Sequence, residues 1–181
     1  MASLAAWGGP HGALEWQPAL WLGQPWRAWT AATVHYSTLH LAANLAGVLL
    51  VGALGAVADL RPHNVMAWVL AWPLTQLGLL WRPELLHFGG LSGVLHAGVA
   101  VVALQLIIAG PRQRRGIGLA ILLVLVGKVL SESPWGPALR RPEGWDIAVA
   151  PFAHASGVAC GLVCAAVCAR VASWWERRAH D

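Results

Sequence analysis

The chain has 181 residues, of which 57% are hydrophobic and only 11% charged, whereas soluble globular domains carry roughly 25% charged residues. With a mean hydropathy of +0.58, this composition excludes an ordinary soluble domain, and the length suits a single unit. The formal net charge of +4 does not indicate a nucleic-acid partner, because the basic residues lie in short loops between apolar runs, where membrane topology uses them.

The N-terminus does not read as a signal peptide: it has no basic leading region, and Gly8-Gly9-Pro10 interrupts its first apolar stretch. No run in residues 1–24 is long enough to span a bilayer. Beyond it, gaps between charged residues mark the spans. No Asp, Glu, Lys or Arg falls between Arg27 and Asp59, Arg61 and Arg82, Glu84 and Arg112, or Asp146 and Arg170. A further run, Gly116 to Leu130, is apolar apart from Lys128. A spanning helix needs roughly 20 mostly apolar residues, so the pattern predicts five spanning helices near 38–58, 64–80, 92–109, 116–131 and 147–170. The expected fold is an all-α polytopic bundle. Residues 1–37 form an external leading segment, 38–170 the transmembrane core, and 171–181 a cytoplasmic tail. Cys160, Cys164 and Cys168 follow at i, i+4 and i+8 in the last run. They read as small packing residues rather than a disulfide framework or a metal site.

Loop charges set the orientation. With residue 37 outside, Arg61, Arg112, Arg114, Arg115, Arg170, Arg177 and Arg178 lie inside, against Arg27, Arg82, Arg140 and Arg141 outside. Positive-inside then predicts an external N-terminus and a cytoplasmic C-terminus. Tryptophans fall at the predicted edges: Trp21, Trp26 and Trp29 before the first helix, Trp81 after the second, Trp135 and Trp145 about the outer loop, and Trp174-Trp175 at the end. Trp68 and Trp72 sit within a span and read as packing residues.

Polar side chains inside a span are costly and raise a functional hypothesis by default. His40 and Asn44, Ser92, and His154 come from three different helices, yet the predicted topology brings all of them to the outer side. Gly90, Ser92 and Gly93 form a G-x-S-G string at a loop-to-helix junction. There glycine permits a sharp turn, and the free amides at the helix start can donate to an anion. His154, Gly157 and Gly161 share one helix face. The paired glycines permit the close helix approach that a Ser–His hydrogen bond requires, and Gly93 and Ala97 supply a matching small pair. His40 and Asn44, four residues apart, share a face and can both donate. The bland alternatives are a packing notch at Ser92, a structural histidine at 154, and an interhelical polar pair at 40 and 44. His96, one turn below Ser92, reads as packing or tuning, and His87 as a loop residue before the site.

Taken together, these motifs resemble the rhomboid family of intramembrane serine proteases: H-x-x-x-N at His40/Asn44, G-x-S-G at Gly90/Ser92/Gly93, and H-x-x-G-x-x-x-G at His154/Gly157/Gly161. Pro25-Trp-Arg-Ala-Trp-Thr30, leading into Val34-His35 and His40, resembles the family's first loop and first histidine pair. The resemblance implies a six-helix core; the helix before that loop has no counterpart in residues 1–24, so either the true start lies further upstream or this member works with five. It also implies a Ser92–His154 dyad and an oxyanion site made of the Ser92 amide with His40 and Asn44. His35 and His96 are candidates for supporting roles, and no cofactor or metal is expected. No Asp or Glu lies in the outer half of a span near His154, so no third catalytic member is expected. Gly90-Leu-Ser-Gly-Val-Leu-His96, and more weakly Lys128-Val-Leu-Ser-Glu132, resemble the rhombosortase branch. That likeness implies a bacterial inner-membrane enzyme. Its substrates would be membrane-anchored exported proteins with a C-terminal Gly-Gly motif, a transmembrane helix and a basic tail. Two alternatives stay open: an inactive rhomboid-like protein that binds helices, and a membrane metal site or transporter built on His40, His96 and His154.

Overall fold

A computed structural model describes residues 11–179; the Gly8-Gly9-Pro10 break and the last two residues of the expected tail lie outside them. Five long helices carry the fold: α1 (Thr38–Val57), α2 (Pro62–Leu77), α3 (Ser92–Ala109), α4 (Arg112–Ser131) and α5 (Pro151–Arg178). Three of them, α1, α3 and α5, are long and apolar enough to cross a membrane by length and composition. α2 has 16 residues and ends in a 3-10 turn, Gly78–Trp81, and α4 begins with Arg112, Arg114 and Arg115.

Local chemistry sets the helix boundaries. The Ser37 hydroxyl caps α1 by accepting the His40 amide at 3.0 Å. Pro62 and Pro151 stand in the first turns of α2 and α5, where a missing N–H costs nothing. α5 therefore starts at Pro151 rather than near 147, because Val149 is held in an isolated antiparallel bridge to Arg140. It runs on to Arg178, past the expected end near 170, and α4 starts directly after Pro111.

α3 is the central helix. Its buried residues, from Gly93 and Val94 through Ala97, Gly98 and Ala100 to Gln105 and Leu106, lie all round its axis, as expected of a helix hydrophobic on every side. α5 packs most closely on α3, and α2 and α4 also lean on α3. α1 touches only α3 extensively and leaves Val48, Leu49, Leu50 and Val57 exposed. Alternation of direction is visible at both ends. Arg61, at the start of α2, reaches Glu176 near the end of α5 at 4.0 Å. At the other end, Arg82 after α2 donates to the carbonyls of Pro134 and Gly136 after α4, at 2.9 and 2.6 Å. Asn64 of α2 donates to Gln105 of α3 at 3.1 Å, so this buried amide pair is satisfied. The three cysteines are free, and Cys164 packs among Ala67, Ala71, Ala97 and Val101.

The leading segment folds back over the end of the bundle that carries Ser92. Trp16 is fully buried and exchanges two backbone hydrogen bonds with Phe88. Arg27, also buried, donates to Gln24 and to the carbonyls of Gly12 and Glu15. The Gly90 amide donates to the Ala31 carbonyl at 2.9 Å. This segment fixes the backbone just ahead of Ser92.

Candidate active site

Ser92 is the first residue of α3. Its amide therefore has no intrahelical acceptor, and its side chain stands at the mouth of the bundle. The chain reaches it through Gly90, whose φ of +147° is a conformation that side chains rarely adopt. A Cβ on Gly90 would lie 3.0 Å from His40 Nε2, so this glycine also lets His40 approach.

The Ser92 hydroxyl lies 2.9 Å from His154 Nε2. His154 is in the first turn of α5, buried, while Ser92 is half-buried. Two backbone-to-backbone contacts make that distance possible. A Cβ on Gly157 would run into the Gly93 carbonyl, and one on Gly161 would lie 2.5 Å from the Ala97 carbonyl. A Cβ on Gly93 would in turn lie 2.7 Å from the Ala153 carbonyl. The small residues singled out in the two motifs face each other across α3 and α5.

His40 and Asn44 are buried on α1 and, with Ser92, His96, Leu95 and His154, line a cavity of about 450 Å³. The Tyr36 amide donates to His40 Nδ1 at 3.4 Å, which leaves Nε2 to carry the hydrogen. One Asn44 amide hydrogen goes to the His40 carbonyl at 3.1 Å. His35 lies edge-on to the His40 ring, centroids 4.9 Å apart, with its Nδ1 held by the Thr33 carbonyl at 3.1 Å. Burial holds His35 below the ordinary histidine value and hence neutral, so no positive charge sits behind His40. A second cavity, about 270 Å³, opens on the other side of Ser92 and His40. It is covered by the loop between α4 and α5, including Leu139, Arg141 and Asp146. The Ser37 hydroxyl ties that loop down by donating to Asp146 at 2.7 Å. His87 lines this second cavity.

One expectation is overturned. A carboxylate does reach His154: Glu132 Oε2 lies 2.6 Å from His154 Nδ1. Glu132 caps the end of α4, just past its last helical residue, and enters the site from the loop side, which a search of apolar spans passes over. The available signal was the Lys128/Glu132 pair, spaced i, i+4 at the outer end of a predicted span, at the depth of Ser92 and His154. Lys128 holds Glu132 Oε1 at 2.9 Å. Burial alone would raise the Glu132 carboxyl, but the hydrogen bonds with His154 and Lys128 hold it well below the usual carboxylate range. His96 is not simple packing either. Its ring stacks on His154 at 4.2 Å, its Nδ1 meets the Ser92 carbonyl at 2.7 Å, and its Nε2 accepts from Lys128 at 2.7 Å.

A family model for the Rhomboid domain matches residues 22–171. Neither a curated protein nor a solved structure matches the chain. The match runs from the leading loop through the first four helices and most of α5, and takes in each polar group of the site. The chain is a membrane protein that belongs to the rhomboid family, the family of intramembrane serine proteases.

Proposed function

We propose that this chain is a serine endopeptidase that cuts membrane-anchored proteins near the outer membrane face, with Ser92 as nucleophile and His154 as base. The 2.9 Å hydrogen bond between them, across two helices and open to a cavity, carries the reading. His154 Nε2 takes the Ser92 proton as Oγ attacks the scissile carbonyl. The resulting oxyanion is met by the Ser92 amide, by His40 Nε2–H and by the second amide hydrogen of Asn44. His154 then gives its proton to the leaving nitrogen as the C–N bond breaks. A water molecule attacks the acyl ester and loses a proton to His154, which passes it to the ester oxygen as the acyl C–O bond breaks and Ser92 leaves as the free hydroxyl. Because a helix hides its carbonyls, the substrate must unwind where it is cut, and glycine eases that step.

Within this reading the enzyme is of the rhombosortase type and sits in a bacterial inner membrane, N-terminus outside and C-terminus in the cytoplasm. Its substrates are exported proteins carrying a C-terminal Gly-Gly motif, a transmembrane helix and a basic tail. The likeness of Gly90–His96 to that branch supports this, and so does the small cavity beside Ser92. The test is cleavage of a model Gly-Gly/transmembrane/basic-tail protein in membranes by wild type and Ser92→Ala. Cleavage by the wild type alone is expected. Equal cleavage by both would remove Ser92 as nucleophile. A substrate bound but cut by neither would turn the reading toward a helix-binding protein without activity.

A further inference from the structure

Five hydrogen bonds join Ser92, His154, Glu132, Lys128 and His96 into a ring that begins and ends on Ser92. With both imidazoles neutral, their donors and acceptors can be assigned in only one consistent way. A lysine ammonium has donors and no lone pair, and an ionised carboxylate has lone pairs and no donor. Lys128 Nζ therefore donates to Glu132 Oε1 and to His96 Nε2. With its Nε2 accepting, His96 carries its hydrogen on Nδ1 and gives it to the Ser92 carbonyl. Glu132 Oε2 accepts from His154 Nδ1–H, which leaves the His154 Nε2 lone pair facing the Ser92 hydroxyl.

The ring also contains a competitor. Lys128 Nζ stands 3.3 Å from the same His154 Nδ1 that Glu132 holds at 2.6 Å. If Lys128 donated there, Nδ1 would accept, Nε2 would carry the hydrogen, and His154 could not take the Ser92 proton. Glu132 is the nearer partner of Nδ1, and its other oxygen engages the ammonium, so one carboxylate both claims Nδ1–H and keeps the lysine away from it. His96, stacked on His154, takes a second ammonium hydrogen.

We propose that Glu132 is a positioning residue that sets the reactive tautomer of His154, and that it does so against Lys128, which is itself restrained by Glu132 and His96. The inference rests on the Ser92–His154 reading above. It makes the site a Ser-His-Glu triad, with the third member supplied from the end of a neighbouring helix.

The competition predicts an interaction between two substitutions that a merely structural Glu132 would not show. The measurement is the rate at which a fluorophosphonate labels Ser92 in the full chain in proteoliposomes, with tryptophan fluorescence melting of each variant as the folding control. Glu132→Ala should slow labelling by between about 10²- and 10⁴-fold, the scale on which serine triads respond to loss of the correct tautomer. Adding Lys128→Met should restore at least about tenfold of that loss, because the wrong donor is gone; such coupling is what a double-mutant cycle isolates. Glu132→Asp should retain more activity than Glu132→Ala. Should Glu132→Ala not fold, Glu132→Gln, which keeps the shape without the charge, takes its place beside the same lysine substitution. Labelling of folded Glu132→Ala or Glu132→Gln at the wild-type rate would overturn the proposal, and so would a double variant no faster than the single one. Incorporation of the fluorophosphonate into the Ser92→Ala chain at the wild-type rate would instead overturn the nucleophile assignment itself, a failure these variants do not produce.

Discussion

His40 and Asn44 were legible together as an i, i+4 pair, yet their surroundings differ. The Tyr36 amide occupies His40 Nδ1, so the Nε2–H is free for an oxyanion, whereas one of the two Asn44 hydrogens is spent on the His40 carbonyl. His40→Ala is therefore expected to lower kcat by about 10²–10³, and Asn44→Ala by less, with KM changed little in either. A cleavage assay resolving kcat from KM checks this. The juxtaposition of Ser92 and His154 was readable because each helix carries small residues at helical spacing, Gly93 and Ala97 on one and Gly157 and Gly161 on the other, which permit close approach. Glu132 was not, because a glutamate at a helix end among loop residues looks like any solvated charge. Only its placement under α5 makes it a partner of His154. His96 was underread for a related reason: helical spacing puts it below Ser92 but does not reveal Lys128 opposite.

Among the elements, the α3–α5 contact decides whether the site exists. Gly157→Ala would drive a methyl into the Gly93 carbonyl. Overpacking of this kind typically costs about 1–3 kcal/mol, and the shift it forces would also part Ser92 from His154. Gly127, inside α4, has nothing within 4 Å of an added Cβ, so Gly127→Ala should not destabilise and should gain up to about 1 kcal/mol from helix propensity. Thermal unfolding in detergent, paired with activity, compares the two. The α4–α5 contact adds a pH dependence. The Glu132 carboxyl is depressed in the folded protein to about 2 from an ordinary 4.5. Its contribution is thus fully present above the unfolded value and is lost as pH falls through the folded one. Glu132→Gln should flatten the fall in melting temperature across that acid range; an unchanged slope would show that the carboxylate does not support the contact. Helix existence and order were legible from charge-free gaps. The start of α5 was not, since Ile147 to Val149 are apolar enough to join a helix but are held by the bridge to Arg140 and end at a proline. The same gaps gave five spans, while three helices meet the length and hydropathy needed to cross. Shortness of α2 and the arginines opening α4 separate the two counts.

For the whole molecule, the polar groups converge at one end, beneath the leading segment and the α4–α5 loop, while Arg112, Arg114, Arg115, Arg177 and Arg178 gather at the other. That division predicts that a cysteine replacing Glu143 is labelled by a membrane-impermeant maleimide on intact spheroplasts, and one replacing Arg114 only after lysis, with Cys160, Cys164 and Cys168 replaced by alanine in both. The reverse pattern would invert the topology and place the site on the cytoplasmic side. The central claim is that Ser92, activated by His154, is the nucleophile. Its most direct test is to treat the full chain in membranes with a fluorophosphonate and locate the adduct by peptide mass spectrometry. The adduct is predicted on Ser92 alone and should be lost in His154→Ala; an unmodified Ser92 in folded protein, or equal labelling in His154→Ala, would contradict the account.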